Sequence, residues 1–202
     1  MNNISEVYKQ KEVLEAMREN MQHEGVLQLG NFLNEEENKN LIKQILKEPF
    51  ILDYKALEHS RSTLPLSKIT NYEVLSFFEF FRSKNFIEYI EDIAESELQI
   101  ETFKICLYRH KDFILLHDKQ ERSDSLDIIF DLTQTWNEAA GGILTYVNQE
   151  EEIFYLSPAY NSLTILFRNE EYMRYLKYIN HLAEKDIILR IEISMRFVET
   201  EL

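Results

Sequence analysis

Phe103-Lys104-Ile105-Cys106-Leu107-Tyr108, Asp112-Phe113-Ile114-Leu115-Leu116 and Asp127-Ile128-Ile129-Phe130-Asp131-Leu132 mark the point where the chain changes its period. Before Ile100 the apolar residues recur every three or four positions; after it they come in short β-rich runs. Five more runs follow, over residues 142–147, 152–156, 162–167, 175–179 and 187–193. Short strands broken by turns are the pattern of a sandwich or jelly roll. Helices first and strands after give an α+β class, with a helical layer supporting an antiparallel double sheet.

Working back from Ile100, Phe86, Ile87, Ile90 and Ile93 predict one helix, and Val74, Leu75, Phe78 and Phe81 another, opened by Asn71. Residues 50–70 carry Pro65 and a polar run, and read as a strand, a loop and a return. Asn34 followed by Glu35, Glu36 and Glu37 is a helix start, with an acceptor at the cap and carboxylates by the positive dipole end. Leu41, Ile42, Ile45 and Leu46 form its apolar stripe, and Pro49 ends it. Val26 to Leu29 is a short strand. Val7, Val13, Leu14 and Met17 make residues 4–23 amphipathic, and Gly25 supplies a stop. The expected division is a helical extension over residues 1–24 and a single domain over residues 25–202.

The 202 residues carry 22 basic and 36 acidic side chains, a formal charge of −14, so a nucleic-acid backbone is not the expected partner. Apolar residues make up 45%, which excludes global disorder, and 4 Gly with 3 Pro leave little room for flexible linkers. No apolar run reaches the roughly 20 residues of a membrane span, and the start Met1-Asn2-Asn3 is not a secretory signal. Cys106 is the single cysteine, in keeping with a reducing compartment. A cytoplasmic protein without membrane contact is the expectation; oligomeric state stays open.

Of five histidines, His23 and His59 lie in polar stretches, and His110 sits with Asp112 at a hairpin corner. His117 differs, because it ends the run Phe113-Ile114-Leu115-Leu116, at a strand end where ligands are commonly gathered. Arg190 stands inside Ile187-Ile188-Leu189-Arg190-Ile191 and needs a partner, either an external anion or one of the chain's own carboxylates.

Tyr108-Arg109-His110-Lys111-Asp112-Phe113-Ile114-Leu115-Leu116-His117 resembles the segment leading to the first iron ligand in 2-oxoglutarate/Fe(II)-dependent oxygenases of the prolyl-hydroxylase type. Leu126 to Leu144, with Trp136 and Gly141-Gly142, is similar to that family's strand, Trp and Gly-Gly hairpin. Pro158 to Phe167 and Arg190 to Phe197 resemble its later strands, and Leu75 to Leu98 the support helices of its Tpa1/Ofd1-like branch. The resemblance runs over about residues 25–198. It implies a double-stranded β-helix (jelly roll, cupin-like), with His117 as first metal ligand and with Arg190 and Tyr108 facing 2-oxoglutarate.

Two slots depart from the family's pattern. The carboxylate position, two after His117, is Lys119, and the distal histidine position aligns with Arg174. Neither side chain has a lone pair to give, and like unit charges about 4 Å apart cost roughly 4 kcal/mol at an effective dielectric of 20. The reading that follows is an oxygenase fold whose iron centre is lost or altered. Lys119, Arg174 and Arg190 would then bind a small anion such as 2-oxoglutarate without Fe(II), or the protein would serve as an interaction module. The cations are alternatively neutralised by Asp118, Asp127 or Asp131. The competing reading is an active hydroxylase holding Fe(II) on His117, Asp118 and His181, although Asn180 to Asp186 reads as a turn leading His181 away. A third reading, a structural partner, draws on Phe77-Phe78-Glu79-Phe80-Phe81, for which core burial competes with an interface.

Overall fold

A computed structural model describes residues 4–34, 38–116, 125–147, 153–168, 173–185 and 189–200. Helix α1 (Lys11–Glu24) stops at Gly25, whose left-handed φ of 66° turns the chain into β1 (Val26–Leu29). Then come α2 (Asn38–Ile45), the hairpin β2 (Ile51–Lys55) and β3 (His59–Thr63), α3 (Tyr72–Phe80) and α4 (Lys84–Ala94). Asn71 caps α3, its side chain accepting from the amides of Glu73 (2.9 Å) and Val74 (3.2 Å). Such a cap contributes about 1 kcal/mol. Buried Glu48 holds the approach to it through the amides of Thr70 (2.9 Å) and Asn71 (3.0 Å).

The second half is strand: β4 (Leu98–Tyr108), β5 (Phe113–Ile114), β6 (Ser125–Asp131), β7 (Leu144–Val147), β8 (Ile153–Leu156), β9 (Ser162–Arg168), β10 (Met173–Leu176) and β11 (Arg190–Glu199). A short helix, α5 (His181–Lys185), precedes the last strand. Every pairing is antiparallel, in the order β1-β9-β6-β11-β4-β3-β5-β10-β7-β8, with β2 on the free side of β3. Strand β3 joins the two halves of this curled sheet. Ser62 and Thr63 pair with β4, whereas His59 and Ser60 pair with β5. Arg61 therefore stands at the junction.

Strand alternation explains two separate cores. Ile191, Ile193, Met195 and Phe197 of β11, with Ile128 and Phe130 of β6 and Ile105 and Leu107 of β4, pack against the helices. Phe77, Phe78 and Phe81 of the aromatic run are buried in this layer, Phe77 and Phe81 tilted against Phe130 and Phe78 edge-on to Phe77. The burial expected for that run is what the fold delivers. Met17 and Met21 of α1 lie in the same core. The opposite faces of β4 and β6 turn inward, where Cys106, Tyr108 and Ile129 join Leu144 and Tyr146 of β7 and Leu176 of β10 in lining the inside of the curl. The α+β jelly-roll expectation holds.

Candidate functional site

The inward faces carry charge as well as apolar groups. Arg190, Glu192, Ser194 and Arg196 follow one another on the inside of β11, beside Asp127 and Asp131 of β6 and Lys104, Cys106 and Tyr108 of β4. Arg190 is 1% exposed and Glu192 3%. Ionised groups survive such burial only when paired.

At one end of this lumen, Arg190 Nη2 lies 3.0 Å from Glu192 Oε2 and 3.8 Å from Asp131 Oδ2. Its Nη1 donates to the carbonyl of Gly142, and its Nε has no hydrogen-bond partner among the described residues. The Tyr108 hydroxyl donates to Glu192 Oε1 at 2.9 Å. Burial pushes the Tyr108 phenol well above its usual range, so it acts as a neutral donor. Burial also raises Asp131 to about 6, against the pull of Arg190 and of the Thr133 amide, which donates to Oδ1 at 2.8 Å. Gly142 reaches Arg190 because it has no side chain: a Cβ there would stand 2.3 Å from the Trp136 ring, at a φ of 67°.

Further along the lumen, Asp127 accepts from Arg196 Nε (3.0 Å), Arg174 Nη1 (3.4 Å) and the Tyr146 hydroxyl (3.4 Å). Arg61 Nε donates to Asp53 Oδ2 at 2.9 Å, and His59 Nε2 meets Asp53 Oδ1 at 3.0 Å. Partial desolvation beside the strand, aided by the Arg61 and Arg174 guanidiniums, pulls the Lys104 ammonium below the usual lysine range although the side chain reaches solvent.

The structure brings Arg190 and Tyr108 together, through Glu192, as neighbours across the β4–β11 ladder. Arg174 also faces the lumen, neutralised by Asp127, and Arg190 pairs with Asp131 as well as Glu192. His117, Asp118 and Lys119 lie outside the described residues. The turn expected at Asn180 is instead the start of a helix, because the Asn180 side chain accepts from the Leu182 amide at 2.9 Å and caps α5. His181 is exposed at its first position. At the hairpin corner, Asp112 is structural, accepting from the Arg109 amide (2.8 Å) and the Ser60 hydroxyl (2.6 Å). Sequence reasoning passed over Glu192, Arg196, Lys104 and Arg61. The first two carry a legible signal, since they alternate in phase with Arg190; Arg61 sits in a stretch without periodicity.

The groups that the resemblance implies can be tested against these residues. A facial iron site needs two imidazoles and a carboxylate on one side of the metal. Position 174 presents a guanidinium bonded to Asp127, which has no lone pair to offer a metal, and the His181 imidazole is exposed on α5. Among the described residues no group of three or more His, Cys, Asp or Glu is placed to hold a metal. Arg190 does not fit as a free clamp for the far carboxylate of 2-oxoglutarate, because Glu192 and Gly142 engage both its terminal nitrogens.

A curled antiparallel sheet backed by helices, with an arginine opening its last strand, is the double-stranded β-helix of the 2-oxoglutarate/Fe(II) oxygenases. A prolyl hydroxylase from Trichoplax adhaerens, solved with a hypoxia-inducible-factor peptide fragment, has this fold, with a TM-score of 0.71 over 96% of this chain and 92% of that one, at 12% identity. A 2OG-Fe(II) oxygenase family oxidoreductase from Burkholderia pseudomallei gives 0.68 over 93% and 92%, at 11% identity. The chain belongs to the prolyl-hydroxylase-like 2-oxoglutarate/Fe(II) oxygenases, in the family described as "Oxoglutarate and iron-dependent oxygenase degradation C-term", whose profile matches residues 47–201. The prolyl 3-hydroxylase OGFOD1 of Mus musculus is 31% identical over 72 residues, and that of Xenopus laevis 31% over 83 residues. These matches cover 34% and 39% of this chain but only 13% and 16% of the two relatives.

No described helix is long and apolar enough to cross a membrane.

Proposed function

We propose that this protein uses the oxygenase fold for binding rather than oxidation, as an anion-binding or protein-interaction module whose iron centre has been lost. The observation that carries the reading is the self-neutralised lumen. Arg190 is held by Glu192, Asp131 and the Gly142 carbonyl, and Arg174, in the slot of the distal histidine, is held by Asp127. A co-substrate carboxylate would have to displace Glu192 from a buried ion pair, and a divalent ion at position 174 would meet a guanidinium. Both substitutions work against the two charges that the oxygenase reaction must hold.

The competing reading places Fe(II) on His117, Asp118 and His181, the last of which is exposed at the start of α5. Protein purified without air should bind no stoichiometric Fe(II) in the presence of 2-oxoglutarate and release no succinate when oxygen is admitted. Stoichiometric iron with succinate release would overturn the proposal.

A further inference from the structure

Once the lumen's ion pairs are assigned, Lys104 has none among the described residues, and Arg61 is held by Asp53 through one nitrogen alone. Arg61 is 8% exposed, yet only its Nε is hydrogen-bonded among the described residues, to Asp53. Its two terminal nitrogens keep their donor fork unused, on the face of β3 that turns toward Cys106 and Tyr108. Lys104 faces the same lumen, two residues before Cys106 on β4 and beside Ser194 of β11, and its ammonium makes no hydrogen bond or ion pair among the described residues. Lys104 is exposed, so the lumen opens to solvent at this point. The two side chains are close enough to feel one another's charge, and Arg174 stands within the same range. Two cations brought together in a partly buried site repel each other, and Asp53, which Arg61 shares with His59, bonds one of them.

We infer that Arg61 and Lys104 form a binding site for a compact dianion, a dicarboxylate or a phosphoryl group, at the open end of the lumen. The guanidinium fork supplies two parallel donors to a pair of oxygens, and the ammonium supplies a mobile point charge from the solvent side. Arg174, tied to Asp127, adds to the field without having to bond the ligand. The site is separate from the Arg190 end, where the protein's own carboxylates already fill the guanidinium. It deepens the binding reading given above and rests on it. The chain's −14 charge repels anions at large, so saturable uptake of a dianion reports a local site and not general attraction.

The experiment titrates the protein separately with inorganic phosphate and with succinate at constant ionic strength, following heat of binding. One-to-one saturable binding of at least one dianion is expected, weakened about 10-fold or more by Lys104→Gln, the loss of one charge-assisted contact. Lys84→Gln, an exposed lysine on α4, should leave it unchanged. Lys104 is exposed and unbonded, so its replacement leaves the fold intact. Phosphate binding without succinate assigns the site to a phosphoryl group, and the reverse assigns it to a dicarboxylate. Absence of saturable binding, or binding indifferent to Lys104→Gln, overturns the inference. Iron binding with succinate release would instead overturn the non-catalytic reading, so the two failures are told apart.

Discussion

Arg190 and Glu192 lie two residues apart on β11, face the same closed interior and hold each other at 3.0 Å, with Tyr108 donating to the second oxygen of the carboxylate. Removing one partner of a buried pair leaves the other charge uncompensated, at a cost of roughly 3–5 kcal/mol. Glu192→Ala is therefore expected to lose that much unfolding free energy in urea. A loss under about 1 kcal/mol would mean that water reaches the guanidinium and screens it.

Asp127 is shared by Arg174, Arg196 and Tyr146. Asp127→Asn keeps an acceptor for one guanidinium but withdraws the charge that both require. Destabilisation of about 3 kcal/mol is expected by denaturant unfolding. The double variant Asp127→Asn with Arg174→Gln should recover part of it, because one of the stranded cations is gone.

Asp131 titrates near 6 in the folded protein, because burial disfavours its charged form, against an ordinary value of 3.8. The folded state thus binds this proton more tightly than the unfolded chain does. Its stabilising contribution is fully present below about pH 4 and is lost as the pH rises through about 6. Asp131→Asn keeps the acceptor for the Thr133 amide and cannot ionise. The stability difference between wild type and variant should shift in the variant's favour across that window, at up to about 1.4 kcal/mol per pH unit. Parallel pH profiles from urea unfolding would contradict this.

At Gly142 the chain adopts a φ of 67°, with the Trp136 ring where a Cβ would stand. Left-handed backbone costs a substituted residue roughly 1–2 kcal/mol, and overpacking adds roughly 1–3 kcal/mol. Gly142→Ala should destabilise by at least about 2 kcal/mol and alter the fluorescence of Trp136, the protein's one tryptophan. An unchanged emission spectrum with wild-type stability would show that the hairpin can shift freely.

The helices were legible because their signals are local. Asn71 caps α3 as its position predicts, and Val74, Phe77, Phe78 and Phe81 supply enough apolar surface to bury the aromatic run. The strands were legible as runs, though not in their limits: the run expected at 175–179 is β10 over Met173–Leu176, and the one at 187–193 is β11 over Arg190–Glu199. Backbone pairing sets those ends, and pairing partners are distant in sequence. The Asn180 turn became a helix for a reason also present in the sequence, since asparagine is a good cap for either structure.

For the site, the residue types at 190, 108 and 174 were enough to expect cations and a tyrosine near one centre, and Asp127 and Asp131 to expect their counter-charges. What could not be read was Arg61, because residues 50–70 have no period and their role depends on β3 bridging two strands that are over 40 positions further along.

Alternation along Arg190-Ile191-Glu192-Ile193-Ser194-Met195-Arg196-Phe197 dictates by itself that one face of the last strand is apolar and the other polar. On an open sheet that polar face would meet water, and each charge would be solvated at little cost. Only closure of the sheet through β3 turns it inward, where low dielectric makes an unpaired charge expensive and so draws Arg190 onto Glu192 and Asp131, and Arg174 onto Asp127. Local sequence chose the faces; the long-range pairing chose which of them was sealed.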